Sequence, residues 1–153
     1  MKPPAIYSTT FASLRDTDTV ADATRRMLDD RVSDLPVVDA SGALVGLFSL
    51  HRFYAALLPK GALLGDGLTD LAFVSDTLAQ LRAKMYEIAD DPVRTFTVMP
   101  EHVVHPDTTP VQVILLLHRG ANNIPVVSPE SGTLVGMVSA RDVLVALTAA
   151  GAG

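Results

Sequence analysis

Hydrophobic residues follow a helical spacing in two distant parts of the chain. After Asp18, apolar side chains recur every third or fourth position, which is typical of a helix with one buried face. These positions are Val20, Ala23, Met27 and Leu28. In the second part, Pro110 follows two threonines and predicts a helix up to Arg119. Proline is favoured at the first helical position because the N–H that it lacks has no partner within a helix.

Two short runs with strand-forming residues follow each of these helices. Each pair is separated by a turn that contains glycine, and a second helix is predicted from Ser49 and from Ser139. The runs are Leu35–Val38 with Leu44–Phe48, and Ile124–Val127 with Leu134–Val138. Val103–Val104 predicts a leading strand before the second set. The unit is therefore helix, strand, strand, helix.

The two parts are copies of one another, and this internal repeat decides the architecture. Asp18–Val38 aligns with Asp107–Val127 and, after a one-residue insertion, Ser41–Arg52 aligns with Ser131–Asp142. In this alignment Asp16 corresponds to His105, and Arg52 corresponds to Asp142. The two copies thus differ in charge at matching positions.

A connector separates the copies. Pro59–Gly67 has the glycine and proline content of a loop, and Asp76–Ala89 predicts an amphipathic helix that ends at Asp90–Pro92. The predicted apolar face of this helix contains Leu78, Leu81, Met85 and Ile88.

Composition narrows the classes of function. Of 153 residues, 48% are hydrophobic and 19% charged, which favours a folded domain with an aliphatic core. The net charge of −5, without a cluster of Lys or Arg, argues against nucleic-acid binding. The absence of cysteine suits a reducing compartment, and no segment resembles a signal peptide or a membrane span, so we expect a soluble cytoplasmic protein without a membrane partner.

The chain also predicts a subunit interface. Its mean hydropathy of +0.32 is high for a small domain. Apolar residues surround the helix over Val111–Leu117, which fits either a fully buried core helix or a helix covered by a second subunit. We favour the second interpretation and expect a homodimer through the helices of the two repeats.

The paired Pro-Val-Val strands, the Gly-hydrophobic-hydrophobic-Ser runs and the Asp142 that follows Ser139 resemble a tandem pair of CBS domains, named for cystathionine β-synthase. The resemblance covers residues 8–59 as the first repeat and 99–149 as the second, with a connector at 60–98. It implies an α/β (α+β) fold of two β-α-β-β-α repeats related by a pseudo-two-fold axis, with a helical linker. It also implies a non-enzymatic regulatory module with clefts for an adenine nucleotide (AMP, ADP or ATP) or S-adenosylmethionine, reporting to an effector protein that the sequence does not identify.

The family's ligand-binding pattern of Ser or Thr followed by Asp is met by Ser139 and Asp142. By this resemblance Asp142 accepts the ribose hydroxyls, Arg141 reaches phosphate and His105 contacts the base. The strand entry at Asn122, Asn123, Ile124 and Pro125 offers backbone groups and an apolar wall. The same Ser-x-x-Asp spacing is also an ordinary helix capping box that needs no ligand, so both interpretations stay open.

The first copy departs from this pattern, because Arg52 replaces the acid. Arg52 either faces a phosphate across a shared cleft or is an ordinary solvated arginine. We therefore expect one nucleotide per chain, in the site of the second copy, and no redox or metal cofactor. His102 and His105 face opposite sides of a predicted strand and do not share a metal. The alternative function is a structural dimerisation module that retains no ligand site.

Overall fold

The structure is a computed structural model that describes residues 6–58 and 77–149. The first repeat runs β1 (Leu14–Arg15), α1 (Val20–Asp30), β2 (Asp34–Val38), β3 (Leu44–Ser49) and α2 (Leu50–Phe53), followed by a 3₁₀ turn over Tyr54–Leu57. The connector contributes α3 (Leu78–Ile88) and a 3₁₀ turn over Val93–Phe96; the predicted Pro59–Gly67 loop lies outside the described residues. The second repeat runs α4 (Pro110–His118), β4 (Ile124–Val127), β5 (Leu134–Val138) and α5 (Ala140–Thr148).

Each repeat forms a small sheet around an antiparallel pair. β2 pairs antiparallel with β3 and parallel with β1, and β4 pairs antiparallel with β5. The leading strand predicted at Val103–Val104 is a single parallel bridge between Val104 and Val126. The predicted helices and strands of both repeats are present, and the mixed α/β (α+β) architecture is confirmed.

The helices correct the alignment of the two copies. Thr19 and Thr109 cap α1 and α4 in the same way, each with a capping box, so these two residues are equivalent. The one-residue difference lies between these caps and the strands that follow, because Leu35 is 16 positions after Thr19 and Ile124 is 15 positions after Thr109. Arg15 and not Asp16 therefore corresponds to His105. Asp16 instead accepts a hydrogen bond from Arg94, with 3.1 Å between Oδ2 and Nη1.

The segment that precedes each repeat forms backbone hydrogen bonds with the sheet of the other repeat. Ser8 exchanges two backbone hydrogen bonds with Met137 of β5, at 2.8 and 3.0 Å. Val98 exchanges two with Leu47 of β3, also at 2.8 and 3.0 Å. This crossed pairing joins the first repeat to the second through both sheets.

A pseudo-two-fold axis passes between the repeats, because equivalent residues bind one another reciprocally. The amide of Leu44 donates to the carbonyl of Gly132, and the amide of Leu134 donates to the carbonyl of Gly42, both at 3.0 Å. Near the same axis, Asn123 Nδ2 donates to Asp34 Oδ2 at 3.2 Å.

Three apolar clusters hold this arrangement. The first repeat closes around Phe48, which is fully buried, and the second closes around Val126 and Val138. A third cluster lies between the sheets, where Met137 and its neighbours of the second repeat meet Leu47 and others of the first. The two sheets bury apolar side chains against each other, and this burial stabilises the packing of the two repeats.

The connector helix is anchored on the first repeat. The first two amides of α1, those of Val20 and Ala21, donate to the carbonyls of Asp91 and Ala89, each at 2.9 Å. Met85 and Ile88 of α3 pack against the first core, as the predicted apolar face requires, whereas Leu78 of the same predicted face is 64% exposed. Within residues 6–58 and 77–149, no helix is long and apolar enough to cross a membrane.

Candidate functional site

A cleft of about 330 Å³ opens where the repeats meet. One wall comes from the end of β3 and the start of α2, and the opposite wall comes from the segment that precedes β4. The segment after Val98 forms the rim. The lining residues are Asp34, Leu47, Ser49, His51, Arg52, Val98, Met99, Pro100, Glu101, His102 and 120–124. We call it the Arg52 cleft.

The crossed pairing builds the rim of this cleft. Val98 binds Leu47 in register, so the residues that follow Val98 pass over the cleft mouth. The crossing is close: a Cβ atom on Gly46 would lie 2.8 Å from the carbonyl oxygen of Val98. Only glycine fits at such a separation from a backbone atom. Gly46 therefore permits the close approach of Val98 that forms the rim of the cleft.

The cleft contains side chains of both charges. Arg52, His51 and His102 are exposed at its mouth, and the acidic residues are Asp34 and Glu101. Among residues 6–58 and 77–149, no carboxylate forms an ion pair with Arg52. The guanidinium is thus available to an anionic group of a ligand, since it carries fixed charge and several donors.

Four of the predicted site residues lie together in the Arg52 cleft: Arg52, Asn122, Asn123 and Ile124. The amide group of Asn123 already donates to Asp34, whereas Asn122 is exposed. Ile124 is buried and supplies an apolar floor. The structure therefore brings the first copy's helix start together with the second copy's strand entry.

Ser139 and Asp142 do not line this cleft, and they form the capping box of α5. Asp142 Oδ2 accepts from the amide and the hydroxyl of Ser139 at 2.9 and 3.0 Å, and the Asp142 amide donates to Ser139 Oγ at 3.2 Å. Within the described part of the chain, Asp142 Oδ1 has no hydrogen-bond partner. The capping interpretation is thus realised, and one carboxylate oxygen stays available to a ligand.

Comparison with protein-family models gives the family. The CBS domain model matches residues 5–59 and 86–149, which together cover most of the chain. The chain belongs to the CBS domain family. Both segments match, so the tandem pair and the CBS fold predicted from the sequence are confirmed.

Solved structures agree with this assignment. A CBS domain-containing protein from Kribbella flavida shares 19% identity with a TM-score of 0.70, covering 94% of this chain and 96% of that one. CBSX2, a CBS-pair protein from Arabidopsis thaliana, shares 22% identity with a TM-score of 0.67, covering 94% and 89%. A structure of CBSX2 in complex with AMP shares 20% identity with a TM-score of 0.65, covering 94% and 91%. No curated protein matches the chain.

The other predicted site residues of this CBS pair are not among those that line the Arg52 cleft. His105 is half-buried, and its Nδ1 lies 2.8 Å from the carbonyl oxygen of Val127, which leaves Nε2 as the nitrogen that a ligand can reach. Arg141 is exposed at the start of α5. Pro125 is fully buried in β4, opposite Met137. The predicted set thus divides between the Arg52 cleft and the second repeat.

Sequence reasoning missed several residues that line the cleft, chiefly His51, His102, Asp34 and the Met99–Glu101 rim. The repeat supplied one usable signal, because Ser49 and Arg52 occupy the positions of Ser139 and Asp142. Nothing in the spacing shows that Val98 crosses to the other repeat's sheet, however. The rim residues therefore could not be assigned to this cleft without the structure.

Proposed function

We propose that this CBS pair is a cytoplasmic regulatory module that binds an adenine nucleotide between its repeats and reports occupancy to an effector protein, without catalysing a reaction itself. The observation that carries the proposal is the Arg52 cleft. Its volume of about 330 Å³ lies within the range of small-molecule sites. Its walls come from both repeats, so a bound ligand contacts both at once.

The lining of the cleft suits a nucleotide. Leu47, Val98 and Ile124 provide apolar surface for a base, and the exposed Asn122 provides an amide that both donates and accepts hydrogen bonds. Arg52 offers a cation to phosphate. The AMP bound to CBSX2 supports an adenine nucleotide over other nucleotides, and S-adenosylmethionine is the other ligand class proposed for the cleft.

Asp142 is the proposed ribose contact of a second position. Its Oδ1 makes no hydrogen bond within the described residues and is the oxygen proposed to bind the ribose, with Ser139, Arg141 and His105 as further proposed contacts. Neither Ser139 nor Asp142 is among the residues that line the Arg52 cleft. Binding measurements on variants of each position therefore separate them.

Calorimetric titration with AMP, ADP, ATP, S-adenosylmethionine and adenosine tests the proposal. We expect Arg52→Ala to weaken ATP binding by about three- to tenfold and adenosine binding much less, because only the phosphates use the exposed cation. Arg82→Ala, an exposed arginine on α3, is the matched control. Absence of binding for every ligand would reject the proposal.

The same titration assigns Asp142. Charged hydrogen bonds to a ribose diol are worth roughly 1.5–3 kcal/mol, so Asp142→Ala should lose about ten- to a hundredfold in affinity if the ribose is held there. Unchanged affinity in a folded Asp142→Ala protein would leave the residue with its capping role alone.

We also propose a homodimer that uses the helices of the repeats, with α4 and α5 contributing the exposed apolar surface that the second repeat leaves uncovered. Val111 on α4 is 76% exposed and Leu147 on α5 is 69% exposed. If no nucleotide binds, this surface favours the alternative function, a dimerisation module without a ligand.

A further inference from the structure

Two of the four histidines of the chain lie at the mouth of the Arg52 cleft. His51 comes from α2 in the first repeat, and His102 comes from the rim segment before the second repeat. Both are exposed, so a ligand in the cleft can reach them. Of the other two, His105 is bound to Val127 and His118 ends α4, and neither lines the cleft.

The charged side chains that line the cleft with these histidines come from three of its elements. Arg52 lies beside His51 on α2, Glu101 lies beside His102 on the rim, and Asp34 comes from β2. The wall formed by residues 120–124 contains no charged side chain. Counted over the described lining residues, the cleft carries one net negative charge with neutral imidazoles and one net positive charge with both imidazoles protonated.

We propose that the Arg52 cleft is an anion site whose affinity is set by protonation of His51 and His102. The proposal rests on the proposed function in one respect, that a ligand occupies this cleft. Histidine is the side chain whose charge ordinarily changes between about pH 5 and 8. Binding of an anionic group therefore strengthens as the pH falls through that window, because the imidazolium form is the one that attracts an anion.

Inorganic sulfate is the first probe, because its charge stays constant over this window, whereas the second ionisation of a phosphate monoester falls inside it at about pH 6. Sulfate is titrated at about pH 5.5 and about pH 8, at constant ionic strength, and the backbone amide shifts of Ser49 and Asn122 are followed by NMR. We expect binding about three- to tenfold tighter at the lower pH, the range for exposed charge pairs.

Variants assign this pH dependence to residues. The double variant His51→Gln/His102→Gln should lose the difference between the two pH values, whereas His118→Gln, outside the cleft, should keep it. Arg52→Ala should weaken sulfate binding at both pH values. Equal sulfate affinity at the two pH values in the wild type would overturn the proposal, as would a difference that persists in the double variant.

AMP and adenosine, titrated under the same conditions, separate this proposal from the proposed function. The AMP affinity ratio between the two pH values is compared in the wild type and the double variant, so that titration of the ligand itself cancels. If AMP binds and the ratio is the same in both proteins, the histidine proposal fails and the nucleotide function stands. If sulfate shows the dependence but no nucleotide binds, the nucleotide function fails and the anion site stands.

Discussion

At the scale of single residues, the glycine shared by the two Leu-Val-Gly runs has a specific structural cause. Gly46 lies beneath the carbonyl of Val98, and Gly136 lies beneath the carbonyl of Ser8, where an added Cβ would be 2.9 Å from the oxygen. A carbonyl held in a two-bond bridge cannot move away as a flexible side chain can. The repeated glycine thus lies where the segment that precedes one repeat crosses the sheet of the other repeat.

Gly46→Ala should therefore destabilise the protein by about 1–3 kcal/mol, the usual cost of overpacking. Chemical denaturation measures the change in the free energy of unfolding. Gly120→Ala is the matched comparison, because Gly120 has a positive φ of 102° and the described part of the chain has no atom near its missing Cβ, so its cost comes from the backbone alone. If Gly46→Ala leaves stability unchanged, the crossing of Val98 over β3 is wrong.

At the scale of elements, the two helices that follow the sheets differ because their caps differ. The box of Ser139 and Asp142 starts α5, which has 9 residues. Within residues 6–58 and 77–149, the Ser49 side chain makes no capping hydrogen bond, and α2 has 4 residues before the 3₁₀ turn begins. A similar box starts α1, where hydrogen bonds from Thr19 hold the pKa of Asp22 below its usual value. With Arg52 at the position of Asp142, α2 lacks an acidic capping residue and the cleft gains a cation.

Arg52→Asp should restore this cap. We expect a gain of about 0.5–1 kcal/mol in the free energy of unfolding and slower amide exchange over Leu50–Phe53, because the carboxylate accepts from the Ser49 amide. Arg82→Asp makes the same charge change on an exposed helix position without a cap. A gain no larger than that of Arg82→Asp would mean that the missing acid is not what shortens α2.

At the scale of the whole molecule, the sequence predicts what local spacing determines. Apolar periodicity placed α1 and α3, Pro110 after two threonines placed α4, and strand-forming runs with glycine turns placed β2 to β5. The pairing of Ser8 with β5 and of Val98 with β3 is a tertiary contact, and no local sequence pattern predicts it. The family resemblance grouped Asn122–Ile124 with Ser139 and Asp142, and Arg52 was expected either across a shared cleft or in solvent. In the structure Asn122–Ile124 and Arg52 line one cleft, whereas Ser139 and Asp142 do not line it.

The surface of the whole molecule corrects one interpretation of α4. A fully buried core helix is excluded, because Val113 is buried but Val111 is 76% exposed, and Ile114 and Leu115 are also exposed. α5 contacts α4 and exposes Leu144, Val145 and Leu147 in turn. Apolar side chains on two packed helices form a patch of the kind that subunits cover.

The homodimer prediction follows from this patch. The wild type should have a mass of twice 16.2 kDa by light scattering at micromolar concentration, because pairing of two copies buries the patch on both. Val111→Glu/Leu147→Glu should reduce the mass to that of one chain, since two carboxylates buried without partners cost several kcal/mol. Both residues are exposed in the single chain, so the substitutions leave its core intact, which circular dichroism verifies.

Leu78→Glu is the matched control, an equally exposed apolar residue on α3. A wild type that scatters as a single chain would contradict the dimer. Loss of the dimer in Leu78→Glu but not in the double variant would instead move the interface to the connector helix.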